Sequence, residues 1–425
     1  MHPGKVEAFV TRLQRVVALM ESAEHLELVR QLRTKRVVHN NTFLQFTSVT
    51  EPDFDDLLTK METESNWAVK FSVTTLRGEL LDAIIAVRAG KSAEEFVLEM
   101  SRRLDAAQPR HRVLVPLSGV LLASGVNLNF GRVTLLQMTE TLFQTEVAGK
   151  LEPVVTVVGA EDLFLYTVNV SNDLDQQAVY ATYVVDTDAI RAAELIDDYV
   201  GPVADFLQFC LAETAERYSC LVDYKGRYYR KNVNTAVVVD DESNGAQLLS
   251  LDERTAIRMT INQTLLASWA ELGLTDLAPV FGNAQVELQD EHTQLLYRAI
   301  RVFAEGERST SPRQRVLSYV TACELFFTER RDTYRAVTEG VAYLLGKNYE
   351  ERHSVLSAMR QMYDARSSAT HSGLEPSRVA LYRAQVLHVV RHLIRLRKSE
   401  PERFKEKKDI AAWIDRQRFS GPVVP

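Results

Sequence analysis

The feature that most constrains the fold is a row of helical segments in the last third of the chain. From residue 290 onward, apolar residues recur at steps of three and four, and proline stands in the first turn of two segments. We predict helices at residues 291–304, 312–329, 333–345, 350–366 and 376–397, with a solvated end helix at 401–419.

The helix predicted at residues 376–397 has the most regular pattern. Its apolar seam consists of Val379, Tyr382, Val386, Val389, Leu393 and Leu396. A second side carries His388, Arg391, His392 and Arg395. An apolar seam of this kind is typical of a helix packed along its length on partners. The sequence therefore predicts an all-α bundle, in which the seam faces either the bundle core or a second copy of the chain.

The chain before residue 240 mixes helical and strand patterns. Helical spacing is found at residues 6–37 and 92–106, and in a longer segment capped by Asp188. Short runs rich in β-branched and aromatic residues stand between them, at 67–74, 112–122, 126–136, 163–170 and 178–185, with a hairpin at 218–229 and a strand at 235–239. This part is predicted to be α+β, with a mixed or antiparallel sheet.

A polar, turn-rich run at residues 240–245 marks the predicted domain boundary. After it the strand patterns end, and residues 251–272 are predicted to be helical. We therefore expect an α+β domain over residues 1–245, a helical connector over 246–289 and a helical bundle over 290–425.

Composition excludes several classes of protein. No apolar stretch reaches 18 residues and the first residues lack a signal-peptide pattern, which predicts a cytoplasmic protein without a membrane partner. The three cysteines lack C-x-x-C spacing, so neither a disulfide framework nor a zinc site is expected. Glycine-rich phosphate loops and the serine-hydrolase and zinc-protease motifs are absent from the sequence.

The net charge of −7 is unevenly distributed. Residues 291–425 hold 24 Lys and Arg against 16 Asp and Glu, a balance of +8, which leaves −15 for residues 1–290. A basic last third on an acidic body favours a polyanionic partner. The alternative is a solvated helical surface of mixed charge.

An arginine and a histidine stand where the helix at residues 350–366 is predicted to end. At 100° per residue Arg366 shares a stripe with Met359 and Met362, so a permanent charge points where the packing face points. A straight helix would place His371 about 140° away from it. The serines and threonine between them and the glycine at 373 predict that the helix ends here and frees His371 to turn back. These residues form either a basic helix terminus with a capping histidine or a functional site.

Three blocks of the last third resemble a known family, the ApeA-like HEPN domains, helical modules named for nucleotide binding in higher eukaryotes and prokaryotes. The blocks are residues 295–304 with 315–326, residues 341–345, and residues 362–373. The third block is similar to the family motif of arginine, four to six residues and histidine, preceded by Tyr363 and closed by Gly373. Residues 113–119, 131–133 and 180–209 are more loosely similar to the domain that stands ahead of such modules.

The resemblance implies a metal-independent endoribonuclease that needs no cofactor, often a toxin or antiviral effector acting on cellular RNA. It implies catalytic roles for Arg366 and His371. A histidine transfers protons near neutral pH, and an arginine contacts the developing phosphorane charge through a two-pronged hydrogen bond. A symmetric homodimer would bring two of each residue into one cleft. The N-terminal domain would sense a phage or protein trigger, or restrain the bundle.

Four more residues are expected to support this site. Tyr363 is predicted to be a core residue, and Asp364, on the outer side of the helix, would orient the site. Glu324 lies near an apolar stripe and would pair with Arg366 in a resting state. Ser367 stands where many ribonuclease members carry Asn, Asp or His. It favours the alternative, a non-catalytic HEPN module that binds nucleotide or RNA, or that dimerises, in a regulatory protein.

Overall fold

A computed structural model describes most of the chain. The described residues are 3–25, 34–40, 42–47, 50–63, 67–106, 108, 110–143, 155–156, 166–167, 179–214, 221–224, 235–240, 245–250, 258–283, 290–327, 333–368 and 376–419. Two compact units are present, Met1–Val113 with Val184–Leu195, and Leu114–Tyr183 with Ile196–Pro425.

Helices and strands alternate in the first half of the chain, and helices alone fill the last third of the described residues. The helices are α1 (Pro3–His25), α2 (Thr50–Thr63), α3 (Trp67–Lys70), α4 (Val73–Arg88), α5 (Ala93–Asp105), α6 (Glu140–Phe143), α7 (Ala189–Glu194), α8 (Ile196–Thr214), α9 (Gln263–Leu272), α10 (Leu274–Phe281), α11 (Glu291–Arg308), α12 (Pro312–Phe327), α13 (Thr333–Leu345), α14 (Tyr349–Ser368), α15 (Pro376–Ser399) and α16 (Lys407–Phe419). The strands are β1 (Thr34–His39), β2 (Thr42–Thr47), β3 (Arg110–Ser118), β4 (Val120–Leu122), β5 (Leu128–Phe130), β6 (Val133–Gln137), β7 (Val155–Thr156), β8 (Tyr166–Thr167), β9 (Val179–Asp186), β10 (Asp223–Tyr224), β11 (Thr235–Asp240), β12 (Gly245–Ser250) and β13 (Met259–Ile261).

The first unit packs helices α1, α2, α4 and α5 around one apolar core. Its central residues, among them Leu13, Leu57 and Leu80, are fully buried. The hairpin of β1 and β2 turns at Asn40, whose φ of 45° lies in the left-handed region that asparagine tolerates. Leu44 and Phe46 of β2 add to the core, so this sheet is anchored by its buried face.

A five-stranded sheet has the strand order β10-β3-β9-β6-β5. The pairs β10–β3, β5–β6 and β6–β9 are antiparallel, and β4 pairs separately with β13 in parallel. The β5–β6 turn requires Gly131, which has a φ of +55°, because a Cβ there would lie 2.6 Å from the carbonyl oxygen of Pro279 in α10. The sheet edge and α10 therefore approach each other at backbone distance.

Buried ion pairs join the helices of the second unit. Asp205 of α8 is completely buried and accepts hydrogen bonds from Arg301 and Arg308 of α11. Glu307 of α11, also buried, accepts from the hydroxyl of Tyr319 in α12 and from Nε of Arg383 in α15. Because burying a charge is unfavourable without a partner, these contacts fix how the helices meet.

The predicted order, an α+β part followed by helices, is confirmed. Helix α13 has the predicted bounds, and the other helices from residue 290 onward lie where the pattern indicated, except that α16 begins at Lys407 rather than at residue 401. Strands are also present at 178–185 and 235–239, as expected, whereas the runs at 112–122 and 126–136 each form two strands instead of one, β3 with β4 and β5 with β6. Of the strand expected at 163–170, only the two residues of β8 lie within the described part.

Several local predictions were wrong. Residues 67–74 form α3 and the start of α4 instead of a strand, because Trp67 and Phe71 are buried one helical turn apart and Ser72 caps α4 through the amide of Thr75. Residues 34–37 belong to β1 rather than to the first helix, and the segment capped by Asp188 forms two helices, α7 and α8, instead of one. Strands β12 and β13 follow residue 245, where none was expected, and the helix predicted at 251–272 begins only at Gln263.

The compact units and the predicted domains divide the chain differently, since neither unit ends near residue 245. Residues 241–244, where the boundary was placed, lie outside the described residues, and the three-domain division stays a prediction. Among the described helices, none is both long and apolar enough to cross a membrane.

Candidate functional site around Arg366

Arg366 lies in the last turn of α14, on the edge of the face that packs against the bundle. Met362 and Met359, one and two turns earlier, are fully buried, and Tyr363 is 7% exposed. The side chain of Arg366 is 36% exposed, so its guanidinium reaches from the packing face toward solvent. The sequence predicted the charge within the apolar stripe, whereas the structure places it at the edge of the packing face.

Glu324 of α12 is the partner of Arg366. Nη1 of Arg366 lies 2.5 Å from Oε1 of Glu324, and the hydroxyl of Tyr363 donates to the same oxygen at 3.0 Å. The guanidinium carbon also lies 6.0 Å from the centre of the Tyr363 ring. One carboxylate oxygen therefore accepts from two donors of α14, which fixes both donors relative to α12. The pairing expected from the sequence is present.

These residues line a cavity of about 600 Å³ between the end of α12, the start of α13 and the end of α14. Its lining consists of Thr321, Glu324, Leu325, Thr333, Tyr334, Tyr363 and Arg366. Tyr334 is 41% exposed, and its ring meets the Tyr363 ring edge to face at 5.2 Å. The size falls within the range of small-ligand pockets, and the lining offers a cation, hydroxyl groups and an aromatic surface.

Burial sets the protonation of the groups behind this cavity. It raises the pKa of Tyr363, and the negative charge of Glu324 raises it further, so the phenol keeps the proton that it donates. Burial also raises the pKa of the Cys323 thiol to about 12, with a smaller contribution from Glu324. Cys323 is therefore a protonated core residue and not a nucleophile.

The structure brings together three of the six residues predicted for the site, Arg366, Glu324 and Tyr363. Asp364 is exposed and is not among the described residues that line the cavity. Helix α14 continues to Ser368, two residues beyond its predicted end, so the backbone of Ser367 is helical. His371 lies outside the described residues, and its predicted role stays a prediction.

Tyr334 and Thr333, which line the cavity at Arg366, were not predicted from the sequence. Tyr334 and Thr333 stand at the start of α13, and only the packing of α13 beside α14 brings them to Arg366. The one available signal was an aromatic residue in the first turn of a helix. Among the residues that the structure describes, no group of three or more His, Cys, Asp or Glu could hold a metal ion.

No protein-family model, no curated protein and no solved structure matches this chain.

Proposed function

We propose that the chain is a metal-independent endoribonuclease of the HEPN type that acts in the cytoplasm as a toxin or antiviral effector. The observation that carries the proposal is the position of Arg366. A permanently charged guanidinium borders a cavity large enough for part of a nucleotide, beside two tyrosine rings. The basic last third of the chain supports a polyanionic substrate.

The proposed reaction is attack by an RNA 2′-hydroxyl on the adjacent phosphorus. The O2′–P bond forms, the P–O5′ bond breaks, and the products carry a 2′,3′-cyclic phosphate and a 5′-hydroxyl. A base accepts the O2′ proton and an acid protonates the leaving O5′. Arg366 would contact the non-bridging oxygens as their charge grows, and His371 would carry the proton transfers.

One histidine per chain is little for two proton transfers at two different oxygens, so we propose that two copies of the chain act together. A symmetric homodimer through the helical part would place two Arg366 and two His371 at one cleft. The same arrangement explains an arginine on a packing face. The N-terminal part would sense a phage or protein trigger, or restrain the nuclease.

Glu324 gives this site a resting state in the proposed scheme. Its carboxylate compensates the charge of Arg366 at 2.5 Å, and a phosphate group would have to replace that contact or share the guanidinium with it. The same pair favours the second candidate function, a non-catalytic module that binds RNA or nucleotide or dimerises. In that case the ion pair of Arg366 and Glu324 would be permanent. Ser367 would then stand in place of the Asn, Asp or His that many ribonuclease members carry after the arginine.

The test is cleavage of total RNA by the purified full chain in EDTA, with end-group analysis of the products. We expect wild type to leave 2′,3′-cyclic phosphate ends, and Arg366→Ala and His371→Ala to lose the activity. Arg360→Ala is the matched control, because Arg360 is exposed on the same helix and does not line the cavity. Intact RNA with wild type, or equal cleavage by all variants, would contradict the nuclease and favour the non-catalytic module.

A further inference from the structure

A second cavity, which we call the His–Arg cleft, lies between α15, the end of α13 and the middle of α14. Its volume is about 440 Å³. Leu345 of α13 and Val355 of α14 supply its apolar side, and the rest comes from α15, namely Gln385, His388, Arg391, His392 and Arg395. The proposed ribonuclease reaction uses none of these residues.

The basic residues converge because of their spacing. His388, Arg391, His392 and Arg395 stand at steps of three and four, which places all of them on one stripe of α15. The buried seam of α15, with Val386 and Leu393, lies on a different side, so the basic stripe borders the core instead of entering it. Helix α15 thereby presents four nitrogen-rich side chains to one opening.

Charge distinguishes the His–Arg cleft from two other arginine-lined cavities of the second unit. The cavity at Arg366 contains Glu324, and a third cavity, lined by Arg335, Arg352 and Arg418, contains Glu339 and Glu350. Every titratable residue that lines the His–Arg cleft is basic. The cleft therefore lacks a carboxylate of its own among the described residues that line it.

Three further observations, on Arg395, His392 and Gln385, support an anion site. Arg395 is exposed and forms no ion pair with any residue that the structure describes. Burial lowers the pKa of His392, and the positive charge of Arg395 lowers it further. The side-chain nitrogen of Gln385 is buried and has no hydrogen-bond partner within the described part of the chain. An anion in the cleft would supply both the missing charge and an acceptor.

We propose that the His–Arg cleft binds phosphate groups of the RNA backbone. Guanidinium groups match phosphate oxygens through two parallel hydrogen bonds, and an amide nitrogen donates a further one. The apolar side formed by Leu345 and Val355 suits the sugar rather than a second charge. The choice of RNA as the source of the phosphate rests on the proposed function.

The position of the cleft gives it a role distinct from that of Arg366. Val355 and Arg366 are eleven residues apart on α14, which corresponds to roughly 16 Å along the helix axis. A strand held in the cleft would therefore be anchored away from the bond that is cut. The cleft would position the substrate, and Arg366 would act on it.

The experiment measures binding of a fluorescent, 2′-O-methylated single-stranded oligoribonucleotide, which cannot be cleaved, to the full chain at several salt concentrations. We expect Arg395→Glu to weaken binding on the order of tenfold at low salt and to reduce the slope of log affinity against log salt by about 0.7. His388→Glu, a second exposed position in the cleft, is expected to act in the same direction. Arg313→Glu, at an exposed arginine in the first turn of α12, makes the same charge change outside the cleft and is expected to have little effect.

Equal affinity of Arg395→Glu, His388→Glu and Arg313→Glu for the oligonucleotide would overturn the proposal. Binding of inorganic phosphate that is lost in Arg395→Glu, with unchanged oligonucleotide affinity, would assign the cleft to free phosphate and overturn the RNA assignment. The proposed nuclease is judged separately. If Arg366→Ala still cleaves RNA while Arg395→Glu binds weakly, the reaction scheme is wrong and RNA binding in the His–Arg cleft is supported. If Arg366→Ala is inactive while Arg395→Glu binds normally, RNA binding in the cleft is wrong and the nuclease is supported.

Discussion

The protonation of His292 predicts how the stability of the second unit depends on pH. His292 is the second residue of α11 and is fully buried, with its ring edge to face against Phe326 and Phe404. Burial lowers its pKa to about 4, and the charge of Arg397 contributes in the same direction, while Asp290 opposes it. The imidazole is therefore neutral in the folded protein at neutral pH, between two aromatic rings that give a cation little solvation.

The magnitude follows from the two protonation equilibria. In the unfolded chain the pKa returns to 6.5, so between pH 6.5 and pH 4 the unfolded state binds a proton that the folded state excludes. The contribution of the neutral His292 to the free energy of unfolding is fully present above pH 6.5 and is lost as the pH falls toward 4. A pKa difference of about 2.5, at about 1.4 kcal/mol per pKa unit, corresponds to about 3 kcal/mol.

The assay compares wild type with His292→Gln, which is neutral at every pH. Urea unfolding is followed by tryptophan fluorescence from pH 7.5 to pH 4.5 and gives the free energy of unfolding of each chain. The contributions of all other titrating groups cancel in the difference between the two values. We expect this difference to shrink by about 2 to 3 kcal/mol toward the acid end. His353→Gln, at an exposed ring, is the control and is expected to change the difference by less than about 0.5 kcal/mol. A constant difference for His292→Gln, or an NMR titration of its ring near 6.5, would refute the reasoning.

Two further substitutions test the ion pairs of the second unit. Asp205→Asn keeps the shape of a completely buried side chain but removes the negative charge with which the buried Arg308 pairs, so urea unfolding is expected to show a loss of about 3 to 5 kcal/mol. Asp415→Asn, at a surface carboxylate, should lose less than about 1 kcal/mol, and an equal loss in both would contradict the buried-charge argument. Glu324→Gln retains an acceptor for Tyr363 but removes the charge that holds Arg366. A half-exposed pair of this kind contributes about 1 kcal/mol, so release should raise RNA cleavage by roughly fivefold, and a decrease would instead make Glu324 a positioning residue.

The helical part could be predicted well because its pattern is local. Helix α13 has the expected bounds at both ends, since its apolar residues repeat at helical spacing and its flanks are polar. The helix predicted over residues 34–37 was wrong because their structure depends on a contact that is not local. Their strand state depends on pairing with β2 across the turn at Asn40, a contact that helical spacing within residues 6–37 does not report.

The candidate site was predictable where charge and periodicity conflicted. Arg366 was recognised because a permanent charge fell on an apolar stripe, and Glu324 because it lay beside the stripe that packs against it. Tyr334 was not recognised, because its place beside Tyr363 depends on how α13 and α14 pack together. Such proximity depends on tertiary structure, and the residue spacing within either helix does not predict it.

The course of the chain between the two units limits how they can be separated. The chain passes between them three times, after Val113, Tyr183 and Leu195. Asp188, in the short returning segment, accepts a hydrogen bond from the amide of Ser72 and caps α7 through the amide of Arg191. A single cut after residue 113 would leave that segment attached to the second unit and remove the partner that Ser72 provides. No single proteolytic cut therefore separates the two compact units whole.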